Sequence, residues 1–514
     1  MGALATGAYI VHARANQAPN LGQPKPGSWI EPGDRAGGET SDTHVLQRAI
    51  DEAQRRGGGT VHILPGRYVS GSLRLHSHVS LWLEAGATLV MSTDAAEFFP
   101  ADKLSYDPKS NKATSDFQVA LLVGDSIENV SILGEGTIDC ERTKGGGPKP
   151  IALRRCSHVD IRGITIRNAP NYNISMLGCD FVTIDGVTIQ NGHSDGIDPD
   201  CSRYVRISNC YVESVDDAIV LKSSGALGER RDTEYVTVEN CILRTASIHF
   251  KCGTESCGDF RNIIVSNCVF QGGMGMRHGN PGIALYAVDG GALENVAFSN
   301  IVMHDVGTPL AIVRGDRDRC SLGTGAGALQ SVQIMNVVAS GARLASVISG
   351  LPSSSIAGIA IDGLTVTMAN SGAGPKTLQE IPEKPKDYPQ PTMFGPLPAF
   401  GLFLRHATDI ALRNVQFKSA SSEERPAVVA DDVAALQLLG YRSHSATAPQ
   451  LWLNNVRDSI VESIDVLPLA IHSCRVSGAK TNNLLLKGSA FMKRSRSVAL
   501  DADVPQHAVH TPQG

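Results

Sequence analysis

One short unit recurs along most of this chain: apolar, any residue, apolar, any residue, Asn or Gly, apolar. It is written as NVSILGEG, HVDIRGITI, FVTIDGVTI, YVRISNCYV, YVTVENCIL, NIIVSNCVF, NVAFSNIVM, SVQIMNVVA, IAIDGLTV and IALRNVQF. The Asn/Gly positions are Gly163, Gly186, Asn209, Asn240, Asn267, Asn300, Asn336, Gly363 and Asn414, mostly 23 to 36 residues apart with one gap of 51. A period of this size means stacked repeats. Two-fold alternation within each unit makes the repeats strands and excludes helical solenoids. Asn and Gly tolerate the left-handed backbone of a corner, and Asn side chains can bond along a stack. The expected fold is all-β: a right-handed parallel β-helix. Cys210, Cys241 and Cys268 share one place in the repeat and read as stacked buried thiols.

Ser41 and Asp42 offer an N-cap to a helix over about 43–56, with Val45, Leu46, Ala49, Ile50 and Ala53 on one face. Gly57-Gly58-Gly59 stops it. This helix is expected to cap the open end of the solenoid, since a terminal edge of strands must be covered. The organisation that follows is a lead-in over 1–40, a cap with first coils over 41–127, the β-helix over 128–490 and a disordered tail over 491–514. Ala3–Val11 is small and apolar and Ala13-Arg14-Ala15 has the form of a signal-peptidase site, but a basic start is missing. A truncated signal peptide, and so a secreted or periplasmic protein, stands beside a plain disordered tail. Residues 371–400 interrupt the rhythm with seven prolines. A loop this long is expected to be a binding wall, with Tyr388, Met393 and Phe394 arguing for order over a disordered insert.

The formal net charge is −5 over 514 residues. No basic field exists to hold phosphate, which argues against a nucleic-acid partner. No apolar run is long enough for a membrane span. Cys252 and Cys257 lack partners at zinc-ligand spacing, so no metal and no cofactor is expected, and the chain is too large to need disulfide staples. A monomer is expected.

The chemistry gathers in NGHSDGIDPDCSRYVRISNCYVESVDDAIVLK, Asn191 to Lys222. It holds Asp195, Asp198 and Asp200, then a strand, then Asp216 and Asp217. Carboxylates at the ends of neighbouring strands can converge, and paired carboxylates are what glycoside hydrolysis needs. An Asp at a β-helix corner can equally cap a turn through backbone N–H groups. The set of Asp195, Asp216 and Asp217 favours catalysis; Asp198 and Asp200 fit either reading, and Asp198 is a candidate to support the site.

On HSDGIDPD (193–200), VDDAIVLKS (215–223), GEGTIDC (134–140) and the opening SDTHVLQRAIDEAQRRGGGTVHILPGRYVSG, the chain resembles glycoside hydrolase family 28, the polygalacturonase family. The resemblance covers most of residues 40–440. Later stretches, EIPEKPKDYPQPTMFGPLPAFGLFLRH and ALYAVDGGALENV, are similar to a bacterial subgroup of that family. The resemblance implies an inverting glycosidase in which Asp216 is the general acid and Asp195 with Asp217 activates the water. Inverting carboxyls sit about 6.5–9.5 Å apart, a distance that neighbouring rungs about 4.8 Å apart can span with an offset.

Two family motifs are missing. Ala246-Ser247-Ile248 occupies the place of G-H-G. If Ile248, Phe250 and Cys252 point inward, Ser247, His249 and Lys251 point out, and His249 could stand in for the lost histidine or be a plain surface residue. Ala284-Leu285-Tyr286 occupies the place of R-I-K, which supplies cations for a uronate carboxylate. Lys222, Lys251, Arg277, His278, Arg314 and Arg405 are nearby in sequence and could rebuild the clamp. Otherwise the adjoining sugar is not a plain uronate. Tyr286 could stack on a sugar ring or simply pack. The substrate-binding candidates are therefore Asp198, Lys222, His249, Lys251, Arg277, Tyr286 and Arg405. The expected partner is a pectin-type polysaccharide or oligosaccharide, with exo attack if the insert and the RTASIHFKCGTESCGDF region block one end of the cleft. A polysaccharide lyase needs a Lys or Arg base and a cation at the carboxylate; a non-catalytic glycan-binding β-helix is the third reading.

Overall fold

The computed structural model describes residues 28–30 and 41–511, apart from 31 to 40 and short stretches at 143, 321, 324–326, 370–371, 373, 375–376, 420–422, 445–449, 467–472, 489–490 and 492–497. The expected leader and most of the lead-in therefore lie outside the described residues.

Helix α1 (Thr43–Arg55) presents Val45, Leu46, Ala49, Ile50 and Ala53 to the core. Its side chains close one end of a continuous parallel sheet wound into a right-handed β-helix. Along one wall run β1 (Lys149–Arg154), β2 (Ile174–Leu177), β3 (Ile197–Asp200), β4 (Ile219–Ser223), β5 (Phe250–Ser256) and β6 (Pro281–Ala287). Each pairs in parallel with the next, and Ile151, Ile174, Ile197, Ile219, Phe250 and Ile283 stack in register. These inward side chains are fully buried. At roughly 1.5–3 kcal/mol for each large apolar side chain buried, such columns stabilise the coil far more than its hydrogen bonds do.

The corners explain the repeat. All nine Asn/Gly positions of the unit have positive φ, from 51° at Asn414 to 74° at Gly163 and Gly363. Asn side chains bond along the axis: Asn300 donates to Asn267 at 3.0 Å and Asn336 to Asn300 at 3.2 Å. Cys210, Cys241 and Cys268 are all buried beside this corner.

Two expectations about the chain's ends and staples need correction. The stretch after 490 is not a bare tail: Val498–Leu500 pairs with Cys474–Val476, and Val509–His510 with Leu484–Leu485, because the last coils still offer open sheet edges. A disulfide joins Cys257 to Cys320 across 63 residues. It fastens the segment around Cys320 to the end of the coil behind β5, beside the backbone bonds that Gly315 and Arg317 donate to the Ala287 and Val288 carbonyls.

The insert 371–400 is ordered against the wall in its described residues. Leu378, Ile381, Phe394 and Leu397 pack on the outward faces of Ile248, Ala284, Tyr286, Val313, Val347 and Phe403. At the opposite end Phe99, Phe117, Ala226 and Leu227 cover the outward faces of Val123, Ala152 and Leu177. Between the two covers the wall runs about 14 Å from β2 to β5 at strand spacing, a short trough between hydrophobic rims.

Candidate active site

Each acidic residue arrives at this trough by backbone register. Asp195 precedes β3 and Asp217 precedes β4, and Gly196 N–H donates to the Asp217 carbonyl at 2.9 Å, so the two side chains sit on adjacent coils. Asp216 is one residue earlier on the bend. Oxygens of Asp195, Asp216 and Asp217 all lie within 4.8 Å of one another. These are nearest-oxygen separations and so run shorter than the carboxyl-to-carboxyl spacing of about 6.5–9.5 Å expected for inversion. Asp195 and Asp217 are buried, whereas the Asp216 side chain is 25% exposed at the mouth.

Three acids in so small a volume need cations. Lys222 Nζ, buried, donates to Asp195 Oδ2 at 2.9 Å and Asp198 Oδ2 at 2.7 Å, and lies 4.0 Å above the Tyr172 ring. Lys251 Nζ, also buried, donates to Asp217 Oδ2 at 2.9 Å and to the Tyr388 hydroxyl at 3.0 Å. Arg277 pairs with Asp216 at 3.0 Å and is half-exposed. Asp217 is the best held: its other oxygen accepts from Ser247 Oγ at 2.7 Å and Ile248 N–H at 3.2 Å. Burial works to raise Asp217, but Lys251 and these hydrogen bonds keep it below the usual carboxylate range. Asp195 goes the other way. Its burial, with the Asp216, Asp217 and Asp198 charges, pushes it well up against the pull of Lys222. Burial likewise pushes Asp198 up to about 6. Asp200 accepts from Ser224 N–H at 2.8 Å and from its hydroxyl at 2.5 Å, the turn-capping role open to it from the start.

Three of the sequence candidates do not reach the trough. His249 is fully buried; it stacks on Phe270 at 5.5 Å and its Nδ1 lies 3.0 Å from the Pro281 carbonyl oxygen. Residues 246–249 form a bend, so strand alternation does not hold there: Ile248 faces outward under the insert while Phe250 and Cys252 face the core. Tyr286 is fully buried beneath the insert, out of reach of a sugar. Arg405 spends its donors on the Ile381 carbonyl at 3.1 Å, the Pro382 carbonyl at 3.3 Å and the Glu383 carboxylate, so it anchors the insert. Arg314, a further cation near the clamp position, is bound to the carbonyls of Ala287 and Gly315.

Four residues at the site were not among the candidates: Tyr172, Ser247, Glu255 and Tyr388. Ser247 sits where the family histidine was expected, and its hydroxyl occupies Asp217 directly. Tyr388 could be found only by folding the insert back over 137 residues of chain onto Lys251. Among the described residues no helix is long and apolar enough to cross a membrane.

The chain is similar to known polygalacturonases. It is 24% identical over 370 residues to a probable polygalacturonase of Vitis vinifera, covering 66% of this chain and 74% of the relative. It is 25% identical over 300 residues to an endo-polygalacturonase of Pectobacterium carotovorum subsp. carotovorum, covering 52% and 71%. A hyperthermoactive exopolygalacturonase from Thermotoga maritima has the same fold, with a TM-score of 0.56 at 22% identity over 67% of this chain and 88% of that one. The family described as Glycosyl hydrolases family 28 matches residues 103–376, more than half of the chain. The chain belongs to glycosyl hydrolase family 28 and is a glycosidase.

Proposed function

We propose that this glycosidase hydrolyses a galacturonate-containing pectic chain by direct attack of water, working from a chain end. The carrying observation is the trio of Asp195, Asp216 and Asp217 oxygens within 4.8 Å of one another on the floor of a short trough. The polygalacturonase names of the relatives support the substrate class. Asp217, held ionised by Lys251 and Ser247, serves with Asp195 to hold and activate the water. Asp216 is the most exposed of the three and protonates the leaving oxygen. Burial and the neighbouring acids push Asp195 up, so it holds a proton more tightly than an isolated carboxyl. Arg277 is the half-exposed cation at the trough and replaces the missing clamp for a uronate carboxylate. Asp198 and Lys222 position Asp195 instead of touching sugar.

The hydrophobic covers at both ends of the trough support exo attack, since a chain end enters between them more readily than a chain passing through. Cys257–Cys320 supports a life outside the reducing cytosol, in keeping with secretion or a periplasmic location.

A retaining, double-displacement route is the second reading: oxygens within 4.8 Å of one another also fit carboxyls about 5–5.5 Å apart. A lyase reading is weaker, because Lys222 and Lys251 are each tied to carboxylates that hold them charged, and a charged lysine cannot take a proton.

Product analysis on polygalacturonan, rhamnogalacturonan, xylogalacturonan and their oligomers, wild type beside Asp216→Asn, tests the reading. Saturated single sugars or dimers of inverted anomeric configuration, abolished in the variant, are expected. Retained configuration in the first product favours the double displacement. Unsaturated ends, or turnover undiminished in the variant, reject the assignment.

A further inference from the structure

We propose that Glu255 is a further specificity-determining residue of this site, one that accepts hydrogen bonds from the hydroxyls of a sugar bound in the trough. The inference rests on the saccharide substrate proposed above, and it names which edge of that sugar the site reads.

The backbone is shaped to put Glu255 there. β4 and β5 run in register through Leu221 with Cys252 and resume at Ser223 with Ser256. One residue on β4, Lys222, therefore faces three on β5, residues 253 to 255. Bulges of this kind re-aim side chains beside active sites. This one depends on Gly253, whose φ is +100°. A Cβ there would lie 2.4 Å from the Tyr286 carbonyl oxygen, so no other residue fits without moving the next coil. The extra residues project Glu255 among Lys222, Lys251 and Arg317. Burial would raise its carboxyl, but those three cations hold it below the usual range, so it is ionised.

None of the three cations is available to neutralise it. Lys222 is shared by Asp195 and Asp198, Lys251 by Asp217 and Tyr388, and Arg317 by Asp289 and the Thr254 carbonyl. Among the described residues Glu255 has no ion pair within 4.0 Å; its carboxylate receives a long hydrogen bond from Thr254 Oγ1 at 3.5 Å and one from its own backbone N–H. An ionised carboxylate with open acceptor oxygens in a trough for sugars matches a pair of neighbouring hydroxyls, which donate to its two oxygens. It disfavours a second carboxylate at the same point. The uronate carboxylate must then face away, toward Arg277, and the hydroxyl edge must be free of substituents.

The test compares unsubstituted oligogalacturonides with their O-acetylated forms, as kcat/KM and as binding by calorimetry. Wild type, Glu255→Gln and Glu255→Ala are measured in the full chain, with Asp216→Asn as host for the binding series. Wild type should prefer the unsubstituted oligomer at least tenfold. Both Glu255 variants should lose most of that preference while keeping wild-type melting temperature. A residue that only balances the charge of Lys222 and Lys251 would weaken both ligands alike and leave the ratio unchanged, and an unchanged ratio overturns the proposal. Binding with the ratio altered but no turnover would sink the proposed hydrolysis and leave Glu255 standing. Failure to bind either oligomer overturns both.

Discussion

The hydroxyl of Tyr388 lies 3.0 Å from Lys251 Nζ, whose other partner is Asp217 Oδ2 at 2.9 Å. A residue of the Pro-rich insert thus touches the cation that keeps a floor carboxylate ionised. Tyr388→Phe removes one hydrogen bond to a charged group and is expected to lower kcat/KM roughly tenfold, on the order of 1.5 kcal/mol, with the fold intact. Tyr388→Ala also opens the wall, and chromatography of products should then show longer fragments beside the terminal ones. Unchanged kinetics in both variants would separate the insert from the chemistry.

Asp217 is engaged on both oxygens by Ser247, Ile248 N–H and Lys251. Ser247→Ala takes away the shortest of these bonds without enlarging the side chain. Activity should fall about tenfold, whereas Asp217→Asn or Asp216→Asn should cost 10²–10⁴-fold, the usual worth of a proton-transferring or water-orienting group. Steady-state rates under one set of conditions suffice to rank them.

Asp195 is pushed up by burial and by its acidic neighbours, with Lys222 opposing. Lys222→Met deletes the opposing cation, so Asp195 should hold its proton to higher pH still. Asp195 activates water only once that proton is gone, so the acidic limb of kcat/KM should move to higher pH in the variant, with the overall rate reduced. A limb that stays put, or moves down, would assign it to another group.

Asp198 is raised by burial to about 6. Its folded pKa exceeds its unfolded value near 3.9, so its contribution to stability is complete below about pH 4 and is lost as pH rises through about 6. Asp198→Asn cannot ionise. Chemical denaturation at several pH values should show that the variant loses less stability than wild type between pH 4 and 7, by up to about 3 kcal/mol. Parallel curves would mean that Lys222 cancels the effect in the folded protein.

Gly253 sits at φ +100° against the Tyr286 carbonyl. Gly253→Ala should destabilise the chain by roughly 1–3 kcal/mol and displace Glu255, measurable as a lower melting temperature together with a higher KM.

The coil architecture was legible because period-two alternation and the positive-φ corners at positions such as Asn209 and Asn240 are local properties. The acidic trio was legible for a related reason: Asp195 and Asp216–Asp217 follow the same place in consecutive repeats. The rest depended on what alternation cannot reveal. At 246–249 the chain bends, so His249 turned inward and Ile248 outward. Tyr286 and Arg405 read as exposed until an insert, whose path no periodicity predicts, came down upon them. Glu255 was hidden behind a bulge that shifts the count of residues along β5.

If the covered ends admit only chain termini, as proposed, they set how a solution of polymer would respond. A site that accepts only termini finds as many places to act as there are molecules, however long each one is. Long chains would shorten without being broken in the middle, so viscosity would stay high while reducing sugar accumulates. Turnover per gram would then rise steeply once some other, mid-chain-cutting activity had multiplied the ends.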